Sequence, residues 1–159
     1  MDIEYFARWL WSEGRGLEPL TRKQVARLHD KGRTYVVHLV NEQRVLTIRP
    51  ETGYVALAFL GPSGERLGGI ALVLGGTPVI ESIDVQQHGT EVVRLQGGHG
   101  ISLTVTTAPF DEPSEFHPKP LSALTFPALG EYAELAKLPG DPWEYVELPS
   151  GFDPPQPRA

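Results

Sequence analysis

Five histidines are the side chains of this sequence best suited to ligate a metal or to transfer protons near neutral pH. None of them stands in an H-x-H, H-x-x-x-H or H-E-x-x-H pattern, so zinc has no local signature. His88 and His99 flank a predicted strand that would hold them roughly 20 Å apart. Cysteine is absent, which excludes thiol nucleophiles and Cys-ligated metals. We therefore predict no metal site and no cofactor.

Motifs for nucleophilic and phosphate chemistry are also missing from the sequence. No G-x-S-x-G nucleophile elbow occurs, and the glycines at 61, 64, 68 and 69 do not form a phosphate loop. The Gly97-Gly98-His99-Gly100 run is not followed by a helical pattern and is typical of a hairpin turn. No residue is assigned a catalytic role, and a non-enzymatic protein is the favoured interpretation.

Acidic and aromatic side chains are interleaved in the C-terminal third of the sequence. Residues 111–118 form an acidic, proline-stiffened loop, and residues 141–147 alternate carboxylates with large rings. Protein-binding surfaces use rings as anchors and carboxylates to steer a basic partner. The predicted partner-binding residues are Asp111, Glu112, Glu115, Phe116, Trp143, Glu144, Tyr145 and Glu147.

The same alternation supports a second interpretation of residues 141–147. Trp143 and Tyr145 would attach the segment to the core, while Glu144 and Glu147 would face water. In that case the rings stabilise the fold, and only the carboxylates are available to a partner.

A competing hypothesis places a small-molecule-binding or enzymatic pocket inside a Gly-rich antiparallel barrel. Glu81 and Asp84 are three residues apart, so in a regular strand they point to opposite faces and form no carboxylate pair by themselves. A sheet filled by its own side chains would count against this hypothesis. The residues predicted to line such a pocket are His38, Glu81, Asp84 and His99.

The net charge of −6 is concentrated at the C-terminal end of the sequence. Residues 109–159 carry nine acidic and three basic side chains, whereas residues 1–33 are net positive. An acidic protein is poorly suited to nucleic acid, because binding there requires Lys and Arg to displace counterions. The charge instead predicts another protein with a basic surface as the partner.

Two helices are predicted at the N-terminus. The first, over residues 3–12, rests on an apolar stripe with helical spacing. The second, over residues 22–31, has a T-x-x-Q capping box formed by Thr21 and Gln24, with Gly32 suited to end it. The apolar side chains of the first stripe are Ile3, Phe6, Ala7 and Leu10.

From residue 34 the pattern changes to short β-branched runs separated by turn residues, which predicts about seven strands. Short links favour antiparallel neighbours, and Gly68-Gly69 inside a strand indicates a bulge or a sharp bend. The predicted strands cover residues 35–40, 44–48, 53–60, 66–74, 79–85, 91–96 and 101–107.

We therefore predict an α+β fold in a single domain over residues 1–159. Two N-terminal helices in residues 1–33 precede a strongly bent, mainly antiparallel meander over 34–108. A Pro-rich acidic segment over 109–159 follows, with one helix over 127–138 and mobile last residues. No apolar run reaches the ~18 residues of a spanning helix, and the acidic start of the sequence does not resemble a signal peptide. The expected location is the cytoplasm, away from membranes.

The leading functional hypothesis is a protein-binding module, in concrete form an inhibitor or immunity-type protein that covers a basic site on its partner. A third hypothesis is a structural subunit of a larger assembly. In that case Tyr5, Trp9 and Trp11 on the first helix would form a homo-oligomer interface.

Overall fold

One antiparallel sheet organises the chain. A computed structural model describes residues 1–88, 90–97, 103–107, 115–121, 124–155 and 157–158. Within these residues, eleven strands pair in the order β2-β1-β3-β4-β5-β6-β7-β8-β9-β10-β11. The strands are β1 (Ile3–Leu10), β2 (Arg15–Leu20), β3 (Tyr35–Leu39), β4 (Arg44–Arg49), β5 (Tyr54–Leu60), β6 (Arg66–Val73), β7 (Val79–Gln87), β8 (Thr90–Gln96), β9 (Leu103–Thr107), β10 (Glu115–Pro118) and β11 (Val146–Glu147).

The predicted fold class is wrong at its N-terminus, because residues 3–10 form a strand and not a helix. Ile3 pairs with Leu39 and Tyr5 with Val37, which adds β1 to the edge of the meander. Bulky aromatic side chains suit a pleated surface, and this pairing outweighs an apolar stripe of only two helical turns. The fold is therefore mostly sheet, with one helix near each end of the chain, and the count of about seven strands is too low.

The second predicted helix is confirmed as α1 (Arg22–Asp30). Thr21 Oγ1 accepts a hydrogen bond from the Gln24 backbone N–H at 3.2 Å, and Gln24 Oε1 accepts one from the Thr21 N–H at 2.8 Å. These two bonds form the capping box and satisfy amides that the first turn would leave unpaired. Val25 is the buried residue of the helix and joins the core.

The helix predicted over 127–138 is wrong in its extent, because α2 covers only Ala133–Lys137. Gly130 has a φ of +84°, a left-handed conformation that an α-helix does not contain. The backbone therefore turns at Gly130, and helical geometry begins three residues later. A short 3-10 helix, Pro142–Tyr145, follows and leads into β11.

The hydrophobic core lies between one face of the sheet and the C-terminal segment, defined here as residues 124–155. Leu135, Trp143 and Val146 of this segment pack in the same buried cluster as alternating side chains of the central strands. Arg44 of β4 donates one hydrogen bond to the Leu135 carbonyl at 2.8 Å and another to the Leu138 carbonyl. The segment that looked like a tail in the sequence is thus a layer of the fold.

The opposite face of the sheet, called the second face here, is partly covered by the β1–β2 hairpin. Phe6 and Trp9 pack against a smaller buried cluster on this face, formed by Val36, Val45, Ala58 and Leu60. The turn of the hairpin approaches the turn between β5 and β6, where Gly14 and Gly64 are in close contact. We call this element the aromatic hairpin.

Register shifts interrupt the ladders between β5 and β9. The pairing slips between Phe59 and Leu60 opposite Gly68, as the Gly68-Gly69 pair predicts. A second slip leaves Glu81 without a paired residue on β6. Bulges of this kind bend a strand and increase its local twist, so they shape the sheet around the C-terminal segment.

Candidate functional site

The aromatic rings of the C-terminal segment are buried. Trp143 is 3% exposed, and its ring centroid lies 6.0 Å from that of Phe116, itself 1% exposed. Trp143 Nε1 donates a hydrogen bond to the Pro155 carbonyl at 2.6 Å, and the Tyr145 hydroxyl donates one to the Pro139 carbonyl. The three predicted anchor rings therefore hold the segment on the sheet and are not presented to a partner.

The carboxylates of the same segment face outward. Glu144 and Glu147 are exposed beside the buried Trp143 and Tyr145. Glu131 and Glu134 are exposed in the same way on either side of the buried Tyr132 and before the buried Leu135. We call Glu131, Glu134, Glu144 and Glu147 the acidic surface.

No member of the acidic surface forms a salt bridge with any residue that the structure describes. Four negative charges are thus held on a packed backbone with no salt-bridge partner in the described part of the chain. Sequence reasoning missed Glu131 and Glu134. The available signal was their alternation with apolar residues, since Glu131 precedes the buried Tyr132 and Glu134 precedes the buried Leu135.

For three further predicted partner-binding residues, the structure does not describe the side chain. Asp111 and Glu112 lie outside the described residues. Glu115 is in β10, where its backbone pairs with Thr104.

Of the four residues predicted to line a pocket, the three that the structure describes have separate surroundings. His38 shares a hydrogen bond between its Nδ1 and Glu4 Oε1 at 2.9 Å, and its ring lies against Trp9. Glu81 is exposed at the bulge of β7, and Asp84 is 4% exposed on the second face. His99 lies outside the described residues.

Asp84 belongs instead to a polar cluster beside the tip of the aromatic hairpin. Its carboxylate accepts two hydrogen bonds from Arg66, from Nε at 3.1 Å and from Nη2 at 2.6 Å, and a third from Gln86 Nε2 at 3.3 Å. The Arg66 guanidinium also lies over the Trp11 ring, with Cζ 5.0 Å from the centroid. The buried carboxylate therefore fixes the plane of this arginine.

A pocket of about 430 Å³ opens next to this cluster. In it, Arg94 pairs with Glu91 at 2.7 Å, and this hydrogen bond raises the pKa of Arg94. Sequence reasoning missed the pocket, because the hairpin that forms one wall was taken for a helix. The lining residues are Trp11, Glu65, Arg66, Gln86 and Arg94.

Three tyrosines meet where β1, β3 and the C-terminal segment join. The ring of Tyr5 lies 6.5 Å from those of Tyr35 and Tyr132, edge to face. Tyr35 shares a hydrogen bond with His29 Nδ1 at 2.7 Å, whereas the Tyr5 hydroxyl has no hydrogen-bond partner among the described residues. Burial raises the pKa of both Tyr5 and Tyr35 to about 12, and for Tyr5 the neighbouring Tyr132 adds to the effect.

Among the described residues, no group of three or more His, Cys, Asp or Glu side chains is arranged to hold a metal ion. Neither α-helix of these residues has the length and the apolar composition that crossing a bilayer requires.

No protein-family model matches the chain, no curated protein is significantly similar to it, and no solved structure matches its fold significantly.

Proposed function

We propose that the chain is a protein-binding module whose acidic surface meets a basic surface on a partner protein. The observation that carries this proposal is that the aromatic and the acidic side chains of the C-terminal segment differ in burial. Rings such as Trp143 are buried against the sheet, and the four glutamates are exposed and form no salt bridge with a described residue. Exposed carboxylates on a fixed backbone can steer a basic partner electrostatically.

The packing of the segment supports the proposal energetically. Ordering a flexible acidic tail on binding would cost conformational entropy, which lowers affinity. Here the order is already present, because Arg44 bonds the carbonyls of Leu135 and Leu138, and Trp143 bonds that of Pro155. The glutamates therefore keep their spacing before the partner arrives.

The packing of side chains against the core face of the sheet favours this function over a ligand pocket inside a barrel. Within the described residues, the core face is occupied by side chains of the sheet and of the C-terminal segment. An inhibitor or immunity-type protein that covers a basic site is the concrete form we propose, acting in the cytoplasm. Asp111, Glu112 and Glu115 remain part of the same proposal as further acidic residues of the interface.

The test is an affinity capture with three baits from a lysate of the source organism. The first bait is the wild-type chain, and the second replaces Glu131, Glu134, Glu144 and Glu147 by Gln. The third is a matched control with the same change in net charge, in which four exposed acids elsewhere are neutralised. These four control positions are Asp2, Asp30, Glu51 and Glu81.

The proposal predicts a protein with a basic surface that the wild-type and control baits retain in near-stoichiometric amount and the acidic-surface variant loses. Equal loss from both variants would show that net charge alone matters, and retention by all three would remove the acidic surface from the interface. Either of these two results contradicts the proposal.

A further inference from the structure

A second pocket, called the basic pocket here, lies where the link between α1 and β3 meets the end of β4. Its volume is about 720 Å³. Tyr35 of β3 pairs with Ile48 of β4, so Thr34 and Arg49 are neighbours at the end of this strand pair. The pairing therefore brings two segments that are 15 residues apart into one lining. The lining residues are Leu28, Lys31, Gly32, Arg33, Thr34, Arg49 and Glu51.

The basic pocket concentrates positive charge in a chain whose net charge is −6. Lys31, Arg33 and Arg49 are exposed, and none of them forms a salt bridge with a residue that the structure describes. Glu51, the acidic residue of the lining, is exposed as well and is paired with none of these three cations. The lining therefore has a net charge of +2.

The positive charge continues from the pocket along α1. Lys23, Arg27 and Lys31 are four residues apart, which places them in one row along a helix. Lys23 and Arg27 are also exposed and form no salt bridge within the described part of the chain, while Asp30 is the acidic residue of this helix. Charges of one sign around a concave surface raise the local concentration of ions of the opposite sign.

The carbonyl groups that end α1 are satisfied by the link that lines the pocket. A helix C-terminus carries partial negative charge, which disfavours a bound anion. The backbone N–H groups of Lys31, Gly32 and Arg33 donate to carbonyls of the last turn at 3.1, 3.1 and 2.8 Å. Gly32 has a φ of +72°, the left-handed conformation typical of this kind of helix end. These hydrogen bonds reduce the negative potential that the helix end presents to the pocket.

The Arg49 guanidinium is held in place on the wall of the pocket. Its Nε donates a hydrogen bond to Thr34 Oγ1 at 3.2 Å, and its Cζ lies 5.0 Å from the centroid of the Tyr54 ring. Nη1 and Nη2 form no hydrogen bond with a described residue. A guanidinium in this state can donate two parallel hydrogen bonds to a phosphate group and loses little side-chain freedom in doing so.

We propose that the basic pocket binds the phosphate group of a small molecule, with Arg49 on two of its oxygens and Lys31 and Arg33 balancing its charge. A phosphate group carries close to two negative charges at neutral pH, which matches the +2 charge of the lining. A nucleic acid is disfavoured as the occupant, because the net charge of −6 repels a polyanion. The pocket contains no residue of the acidic surface, so the proposal is independent of the proposed function.

Two sources can supply this chemistry, free phosphate and a small organic phosphate ester. Inorganic phosphate probes the first source, and glycerol phosphate probes the second. The negative probes are glycerol, which lacks the charged group, and sodium chloride at matched ionic strength. A short single-stranded oligothymidylate probes the nucleic-acid alternative.

The experiment follows the backbone amide resonances of Gly32 and Arg33 by NMR during titration with each probe at constant pH. We expect a saturable shift with both phosphate probes and none with glycerol or sodium chloride. Arg49→Gln should weaken phosphate binding by about tenfold, the usual size of a lost charge-assisted hydrogen bond. The matched control Lys137→Gln, which removes an exposed positive charge outside the basic pocket, should bind like the wild type.

Two further variants keep the test decisive in case Arg49→Gln disturbs the contact with Thr34. Arg33→Gln should also weaken phosphate binding, and the Arg33 side chain has no hydrogen bond to a described residue that could be lost. Glu51→Gln should strengthen binding by about twofold, because it removes the negative charge of the lining. A loss of charge and a gain of charge thus change the affinity in opposite directions.

The relative affinities of the probes identify the source of the phosphate group. Tighter binding of glycerol phosphate than of inorganic phosphate assigns the pocket to an organic ester, and equal or weaker binding assigns it to free phosphate. Three results overturn the proposal: no saturable shift with either phosphate probe, equal weakening by Arg49→Gln and Lys137→Gln, or tighter binding of the oligothymidylate than of both small phosphates.

Discussion

Asp84 of β7 accepts two hydrogen bonds from Arg66 of β6, at 3.1 and 2.6 Å. The pair lies on the second face of the sheet, and the other face of the same two strands packs in the hydrophobic core. The carboxylate is almost fully buried, while the guanidinium reaches the pocket and stacks on Trp11. The pair therefore connects the interior of the sheet to the aromatic hairpin. Its removal should affect both stability and the shape of the pocket.

Replacing Asp84 by Asn should lower the free energy of unfolding by about 3 kcal/mol, because it leaves a partly buried arginine without its counter-charge. Glu18→Gln is the control, since it breaks the Arg8–Glu18 pair, in which both side chains are largely exposed. That change should cost no more than about 0.5 kcal/mol. Urea denaturation measures both, and equal effects would show that the Asp84–Arg66 pair is not a structural one.

Trp143→Ala should destabilise the protein by about 3–5 kcal/mol, the usual cost of deleting a large buried ring. Its ring contacts Phe116 and Phe152, and its Nε1 bonds the Pro155 carbonyl. Leu148→Ala, at a side chain 41% exposed in the same segment, should cost less than about 1 kcal/mol. Thermal unfolding of the two variants decides whether the segment is part of the core. A mild effect of Trp143→Ala would mean that the segment detaches without unfolding the sheet.

The partly buried Tyr5 and the buried Tyr35 predict a loss of stability at high pH. Tyr5 and Tyr35 have a pKa of about 12 in the folded state, against about 10 in an unfolded chain. The folded state keeps these protons while the unfolded state loses them. Their contribution is therefore complete below pH ~10 and decreases as the pH rises through about 12.

Tyr5→Phe removes one of these two titrating groups, and its hydroxyl has no hydrogen-bond partner to lose among the described residues. The alkaline decrease in unfolding free energy should be shallower in this variant, with little change at neutral pH. Denaturant titrations from neutral pH to about pH 12 measure both quantities. A wild-type and a variant curve of the same slope would contradict the assignment.

The aromatic hairpin can be tested through Gly16. A methyl group added at this position would lie 2.2 Å from the Phe6 ring, so Gly16→Ala must displace Phe6 from the second face. We expect a destabilisation of about 1–3 kcal/mol, typical of overpacking. Gly76→Ala, where no atom lies within 4 Å of the added carbon, should be neutral or slightly stabilising. A neutral Gly16→Ala would indicate that the Phe6 ring does not lie over Gly16.

The central part of the fold was predictable because local signals agreed with the tertiary structure. β3 to β8 are β-rich runs between turn residues, and the Thr21–Gln24 capping box marks the start of α1. Hairpin turns short enough to join neighbours leave an antiparallel meander as the natural arrangement. In these regions the sequence pattern and the long-range pairing favour the same structure.

The N-terminal strands were not predictable, because their local signals favour other structures. Ile3, Phe6 and Leu10 have helical spacing, but Phe6 reaches the second face because β1 pairs with β3, which places Phe6 opposite Val36. β2 contains Pro19, which argues against a strand except at an edge, and β2 is the edge of the sheet. Edge position is a property of the whole topology and is not visible in six residues.

One part of the candidate site was likewise predictable from local sequence, and another part was not. Alternation of aromatic and acidic residues correctly indicated that Trp143 and Tyr145 are buried and that Glu144 and Glu147 face water. The pocket residues Trp11, Glu65 and Arg94 come from three distant parts of the chain. No spacing in the sequence joins them, since the fold of the hairpin over the sheet is what brings them together.

The most direct test of the acidic surface is the association rate of the purified chain with the captured partner as a function of salt. Steering predicts that the wild-type rate falls steeply with ionic strength, and that the Glu131, Glu134, Glu144 and Glu147 variant is about tenfold slower at low salt with a flatter dependence. The variant neutralised at Asp2, Asp30, Glu51 and Glu81 should behave nearly as the wild type. Identical low-salt rates for the wild type and the acidic-surface variant would contradict the account.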